Sequence, residues 1–118
     1  MRIKSEIWIK AYLRYCAASG APAVVVRHGD DDAGAIFVKV VRLDGTARLF
    51  GPAPAGLDER GGDRNWVPHL DRPATTEAEV EAYLVRQFEF DPDVWVVEVE
   101  DRQGRHFLDD WLAPKDER

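Results

Sequence analysis

The sequence predicts an α+β fold: a largely antiparallel sheet of about five or six strands with two helices packed on one face. Three observations carry that expectation. Two segments repeat apolar residues at the helical period, one near the N-terminus and one within residues 76–91. Short β-branched stretches lie between and after them, joined by turn signals such as Asp44-Gly45. Their order, α-β-β-β-(β)-α-β-β, lacks the regular alternation of a parallel α/β sheet.

The first helix opens at Ser5 and Glu6, a capping hydroxyl followed by a carboxylate at the positive end of the helix dipole. Ile9, Leu13, Cys16 and Ala17 form its apolar stripe, and Trp8, Tyr12 and Tyr15 flank it. Gly20 and Pro22 end it. Residues 23–27 then make a short β-branched strand. Residues 35–43 make a longer one, apolar on both faces, which marks it as central to the sheet. Asp44-Gly45 turns the chain into a third strand at residues 46–50. Between the first two strands, Asp30-Asp31-Asp32 sits in a polar turn bracketed by Gly29 and Gly34.

Residues 51–64 carry prolines, glycines and charges without periodicity. Connections longer than about 12–15 residues tend to be functional or disordered. Residues 65–70 suit a short strand that Pro68 confines to a sheet edge. Thr76-Glu77-Ala78-Glu79 has the form of a capping box, opening a second helix with Val80, Tyr83, Leu84 and Phe88 inward. Pro92 stops it by Asp91. Residues 94–100 alternate, with Trp95, Val97 and Val99 inward against Val96, Glu98 and Glu100. A turn at residues 101–104 points to a hairpin with residues 105–108. The expected organisation is one domain over residues 1–113, then a polar tail at 114–118.

Composition bounds the function. The chain has 118 residues, 45% hydrophobic and 32% charged, with a net charge of −6. That acidity argues against nucleic-acid binding, which needs excess Lys and Arg, and against adhesion to an anionic membrane. No apolar run suits a signal peptide, and none approaches the roughly 20 residues of a membrane span. A single cysteine, Cys16, allows no internal disulfide and suits a reducing compartment, so the cytoplasm is the expected location.

Two acidic places and two tryptophans are the candidate sites. Asp30 and Asp32 could hold a hard divalent cation, although the run lacks the spacing of an EF-hand, and aspartates favour turns for local reasons. Glu98 and Glu100, at i and i+2 on a strand, point the same way about 6–7 Å apart. Such a pair can bind a metal or divide acid and base roles, but a solvated strand face is the simpler account. Residues 89–101 also hold Glu89, Asp91, Asp93 and Asp101 and no basic residue until Arg102, whereas in the first 28 residues Arg2, Lys4, Lys10, Arg14 and Arg27 face only Glu6. That asymmetry suits internal pairing, self-association or a basic partner. Four tryptophans are many for a core this small, which nominates Trp66 and Trp111 for a contact surface.

Catalytic signatures are weak. Cys16 lies on an apolar stripe, His28, His69 and His106 are dispersed, and there is neither zinc spacing nor a phosphate-binding glycine motif. No cofactor is indicated and no metal ligand is assigned. The leading expectation is a non-enzymatic binding or protein-interaction module, a homodimer or the binder of another protein, contacting through the long connection and the acidic hairpin. The alternative is a small metal-dependent hydrolase using Asp30, Asp32, Glu98 and Glu100, which requires the two acidic segments to meet. A third reading places a small-ligand pocket beneath the connection at residues 51–64.

Several segments resemble a bacterial family known only as a domain of unknown function, family 1491. They are Lys4-Ser5-Glu6-Ile7-Trp8 with Ala11-Tyr12-Leu13-Arg14, Gly29-Asp30 with Asp32-Ala33-Gly34, and Val38-Lys39-Val40. The series continues with Arg42-Leu43-Asp44-Gly45, Gly51-Pro52-Ala53, Phe90-Asp91-Pro92-Asp93, and Trp95-Val96-Val97-Glu98 through Gly104-Arg105-His106-Phe107. The resemblance covers most of the chain outside residues 54–65. It transfers no activity and no site residue, and implies a small stand-alone bacterial protein.

Overall fold

The computed structural model describes residues 3–54 and 64–113. In chain order these form α1 (Ser5–Ala18), β1 (Ala23–Arg27), β2 (Ile36–Val41), β3 (Ala47–Pro52), β4 (Trp66–Leu70), α2 (Glu77–Phe90), β5 (Trp95–Glu100) and one 3-10 turn at Asp109–Trp111. Residues 55–63 of the long connection and the tail at 114–118 lie outside the described residues.

The five strands form one sheet in the order β1-β5-β2-β3-β4. Three of its four ladders are antiparallel, but β2 and β5 run parallel, pairing Ile36 with Trp95 through Val41 with Glu100. The sheet is therefore mixed, which corrects the antiparallel expectation at its centre. A parallel pair needs a crossover connection. Here the chain between β2 and β5 supplies it, passing through β3, β4 and α2.

The helices also depart from expectation: they cover opposite faces. Trp8, Ile9, Tyr12 and Cys16 of α1 pack with Ile36, Val38, Val40, Val97 and Val99. Val80 and Leu84 of α2 pack with Phe37, Val41, Leu49 and Val96. Strand β2 is the reason. All six of its residues are buried, so both of its faces need cover, and one helical layer cannot supply two. Its central position, read from the apolar pattern, is borne out.

Local signals behave unevenly. Thr76 and Glu79 form the expected capping box, the Thr76 hydroxyl accepting from Glu79 N–H while the Glu79 carboxylate accepts from Thr76 N–H. The Asp44-Gly45 turn joins β2 to β3, with Gly45 at φ +91°. Ser5, however, is not a side-chain cap. Its hydroxyl donates to Gly34 O at 2.6 Å, and the helix-start N–H groups of Ser5 and Glu6 reach the carbonyls of Asp32 and Asp31. The acidic turn thus serves as the N-terminal cap of α1. No sixth strand forms at residues 105–108. Arg105 folds back onto Asp101, and Leu108 N–H donates to His106 Nδ1 at 2.8 Å.

Candidate functional site

The two acidic segments occupy different parts of the sheet. Asp30 lies at the start of β5, where its backbone carbonyl accepts from Trp95 Nε1 at 2.7 Å and its N–H donates to Asp93 O. Its carboxylate accepts from the N–H groups of Asp32 and Ala33. Asp32 makes a long ion pair with Lys4 at 3.8 Å. These are the contacts of a structural turn. Glu100 stands five residues further along β5, about 16 Å at the rise of a strand. Among the described residues, no three His, Cys, Asp or Glu side chains group closely enough to hold a metal ion. The meeting that the hydrolase reading requires is not found.

Glu98 is not on a wet face, because α2 covers that side. Across the parallel ladder Glu98 faces Lys39, which is only 5% exposed. The Lys39 ammonium lies 3.3 Å from Glu98 and also contacts the Glu81 carboxylate of α2. Burial pulls the Lys39 pKa down, but the hydrogen bonds and charges of the two glutamates outweigh it and hold the ammonium above its ordinary value. Glu100 remains exposed. Lys39 was missed at the sequence level. Its signal was the single charge inside the apolar strand Ile36–Val41.

Several of these charges are engaged locally or by the backbone. Lys10 pairs with Glu6, Arg27 donates to Pro92 O, and Arg105 binds Asp101. Hydrogen bonds from Arg105 hold the Asp101 carboxyl below its ordinary value.

Trp66 is buried, its Nε1 donating to Ile36 O at 2.9 Å and its ring stacked on Trp8 at 4.3 Å. Trp111 is half-buried and meets Trp8 edge-on at 5.3 Å. The nominated tryptophans therefore join one aromatic cluster with Trp8 and Tyr12 rather than a bare surface.

The exposed apolar surface lies elsewhere. Strand β1 is an edge strand, and its three consecutive valines are all exposed, Val24 at 55% and Val26 at 53%. Glu100 N–H donates to Pro22 O, and the two-residue period of the antiparallel ladder then turns the main-chain groups of Ala23 and Val25 outward. A register shift between Val25 and Arg27 ends the regular edge. Val24 is the cross-strand neighbour of Glu98, so the α2 side of this edge is acidic. Exposed Val85 lies one turn from Glu81 on α2, and Arg27 closes the end of the edge by stacking on Phe88 at 3.9 Å. Among the described residues, no helix is long and apolar enough to cross a membrane.

Comparison with known proteins agrees with the architecture. A crystal structure of a DUF1491 family protein from Caulobacter crescentus CB15 is 42% identical, with a TM-score of 0.76 over 97% of this chain and 100% of that one. An NMR structure of a DUF1491 family protein from the same organism is 45% identical, covering 91% and 93% of the two chains with a TM-score of 0.72. The solution structure of a protein from A. tumefaciens is 38% identical over 85% of this chain and 86% of that one, with a TM-score of 0.74. No curated protein matches the chain. The model of DUF1491, a protein family of unknown function, matches residues 3–109, and the chain belongs to that family.

Proposed function

We propose that the protein is a non-enzymatic interaction module of the bacterial cytoplasm whose β1 edge takes up an extended, basic segment of a partner protein. One observation carries the reading: three successive exposed valines on an unpaired sheet edge. Natural proteins blunt such edges with charge, proline or a covering element, because outward N–H and C=O groups are a template for another strand. Here the span from Ala23 to Val26 carries neither charge nor proline, and only its shortness and the register shift before Arg27 limit it. Strand addition gives affinity through the main chain and specificity through alternate side chains.

Charge selects the partner. Glu98 and exposed Glu100 lie on the strand next to the edge, and Arg27 closes its end. A two-fold pairing of β1 with its own copy would set α2 beside α2 and bring these acidic groups together. A segment of alternating apolar and basic residues meets valines and carboxylates instead.

The test is titration of labelled peptides with alternating valine and lysine into the protein, alongside light scattering of the protein alone. Saturable binding that weakens with salt is expected, with a monomer in the absence of peptide. Val25→Pro, which removes an outward N–H, should abolish binding while the circular dichroism stays native. A stable dimer that Val25→Pro dissociates, or no peptide binding at low salt, would overturn the reading.

A further inference from the structure

The β1 edge runs into a cleft. Pro22, the residue before the strand, and Glu100, whose N–H donates to the Pro22 carbonyl, both line a cavity of about 400 Å³. Leu43 and Arg102 stand in its walls beside them. A role for this cleft rests on the strand addition proposed for the edge that it adjoins.

Pairing along the edge cannot continue past Ala23. Outward main-chain groups recur every two residues, so the next N–H belongs to Ala21. That group already donates to Cys16 O at 2.9 Å, where α1 closes. At the other end the register shift before Arg27 stops the ladder. A bound segment therefore pairs only along Ala23 to Val25. Antiparallel addition, slightly the stronger of the two directions, brings the C-terminal end of that segment to Pro22 and the cleft.

The cleft holds one free charge of each sign. Glu100 and Arg102 are both exposed, and neither makes an ion pair among the described residues. Asp101, between them in sequence, is committed elsewhere: it is buried and bound to Arg105 at 2.7 Å.

Leu43 adds apolar surface. It is 53% exposed and sits at φ +68°, a left-handed conformation that aliphatic residues seldom adopt. Glycine or asparagine would hold the same turn at less cost, and backbone strain of this kind collects at functional sites.

We infer that the cleft takes the C-terminal residue of the segment added to β1, and that this residue is basic. Arg102 receives its α-carboxylate, Glu100 receives its side-chain cation, and the aliphatic stem lies on Leu43 and Pro22. A C-terminal lysine or arginine presents both charges at once on an apolar stem. The partner is thus a protein with an extended C-terminal tail that ends in a basic residue.

The experiment titrates labelled peptides ending in Val-Lys-Val-Lys, with the terminal carboxylate either free or amidated. Amidation makes the peptide more positive, so attraction to the acidic strand alone would favour the amide. The free acid should instead bind about tenfold tighter, the worth of one charge-assisted hydrogen bond. Arg102→Gln should remove that difference, and Glu100→Gln should remove the advantage of a terminal lysine over a terminal norleucine. Both side chains are exposed, so neither variant should change the melting temperature. Equal binding of acid and amide, or a preference that survives Arg102→Gln, would overturn the inference and leave the strand addition standing. No binding of either peptide would overturn both.

Discussion

Lys39 stands directly across the parallel β2–β5 ladder from Glu98, and its ammonium lies 3.3 Å from that carboxylate while Glu81 reaches it from α2. Strand, strand and helix are joined at one buried charge. The arrangement is structural in character, since the lysine is enclosed and both carboxylates are committed to it. Removing one member leaves the others uncompensated.

Lys39→Ala should therefore destabilise the protein by about 2 kcal/mol or more, adding a cavity to an unpaired carboxylate. Lys39→Met keeps the aliphatic stem and should cost less. Combined with Glu98→Gln it should cost less than the sum of the two single changes, because they share one interaction. Urea unfolding of the four proteins checks this, and strict additivity would mean the contact contributes nothing.

Stability should fall on mild acidification. Burial lowers the pKa of His69, and burial with the Arg48 charge lowers that of His106. Each ring uses one nitrogen as an acceptor, His69 Nδ1 from the Tyr83 hydroxyl and His106 Nδ1 from Leu108 N–H. Folded-state values below the unfolded value of about 6.5 mean that the unfolded chain binds more protons there. The stability is complete above about pH 6.5 and is lost as pH falls through the folded-state values. Melting temperatures between pH 7.5 and 5.5, about one unit either side of that value, should decline, and His69→Gln should flatten the decline.

The glycines around the acidic turn should resist substitution for a steric reason. A Cβ at Gly29 would lie 2.3 Å from Asp93 O, and one at Gly34 would lie 2.5 Å from the same oxygen. Because the obstacle is backbone, Gly29→Ala and Gly34→Ala should each cost about 2 kcal/mol or more. Gly45→Ala meets no neighbour and strains only φ, so about 1 kcal/mol is expected. Thermal unfolding separates the two classes.

Cys16 should be inert in the folded protein. It is fully buried, and burial raises its thiol pKa despite the hydrogen bond with Tyr12. Ellman's reagent should react only as fast as the chain unfolds, so urea should accelerate the labelling. Rapid reaction in native buffer would show that α1 opens away from the sheet.

Much of the fold was legible because local chemistry dictated it. Helix positions, the capping box, the Asp44-Gly45 turn and the central place of β2 follow from side-chain period, caps and φ preferences, all set within a few residues. The acidic turn was legible as a turn. Its capping of α1 was not, because Ser5 offered a nearer and plausible cap. The hairpin at residues 101–108 failed for a related reason: Asp101 engages Arg105 instead of letting it pair as a strand.

The sequence by itself determined both helices and the five strands that form, though not the failure of the strand expected at 105–108, and that residues 36–41 are apolar enough to need cover on both sides. Only the tertiary structure decided where that cover comes from. Placing α1 and α2 on opposite faces turned Glu98 from a solvated residue into the partner of buried Lys39. It also left the valines of β1 at an open edge, and the strand order set Pro22, Leu43, Glu100 and Arg102 around one cleft at its end. The physical reason is one of range. Secondary structure is selected by interactions a few residues apart, whereas strand order and helix side are selected by burial among segments tens of residues apart, which no local pattern records.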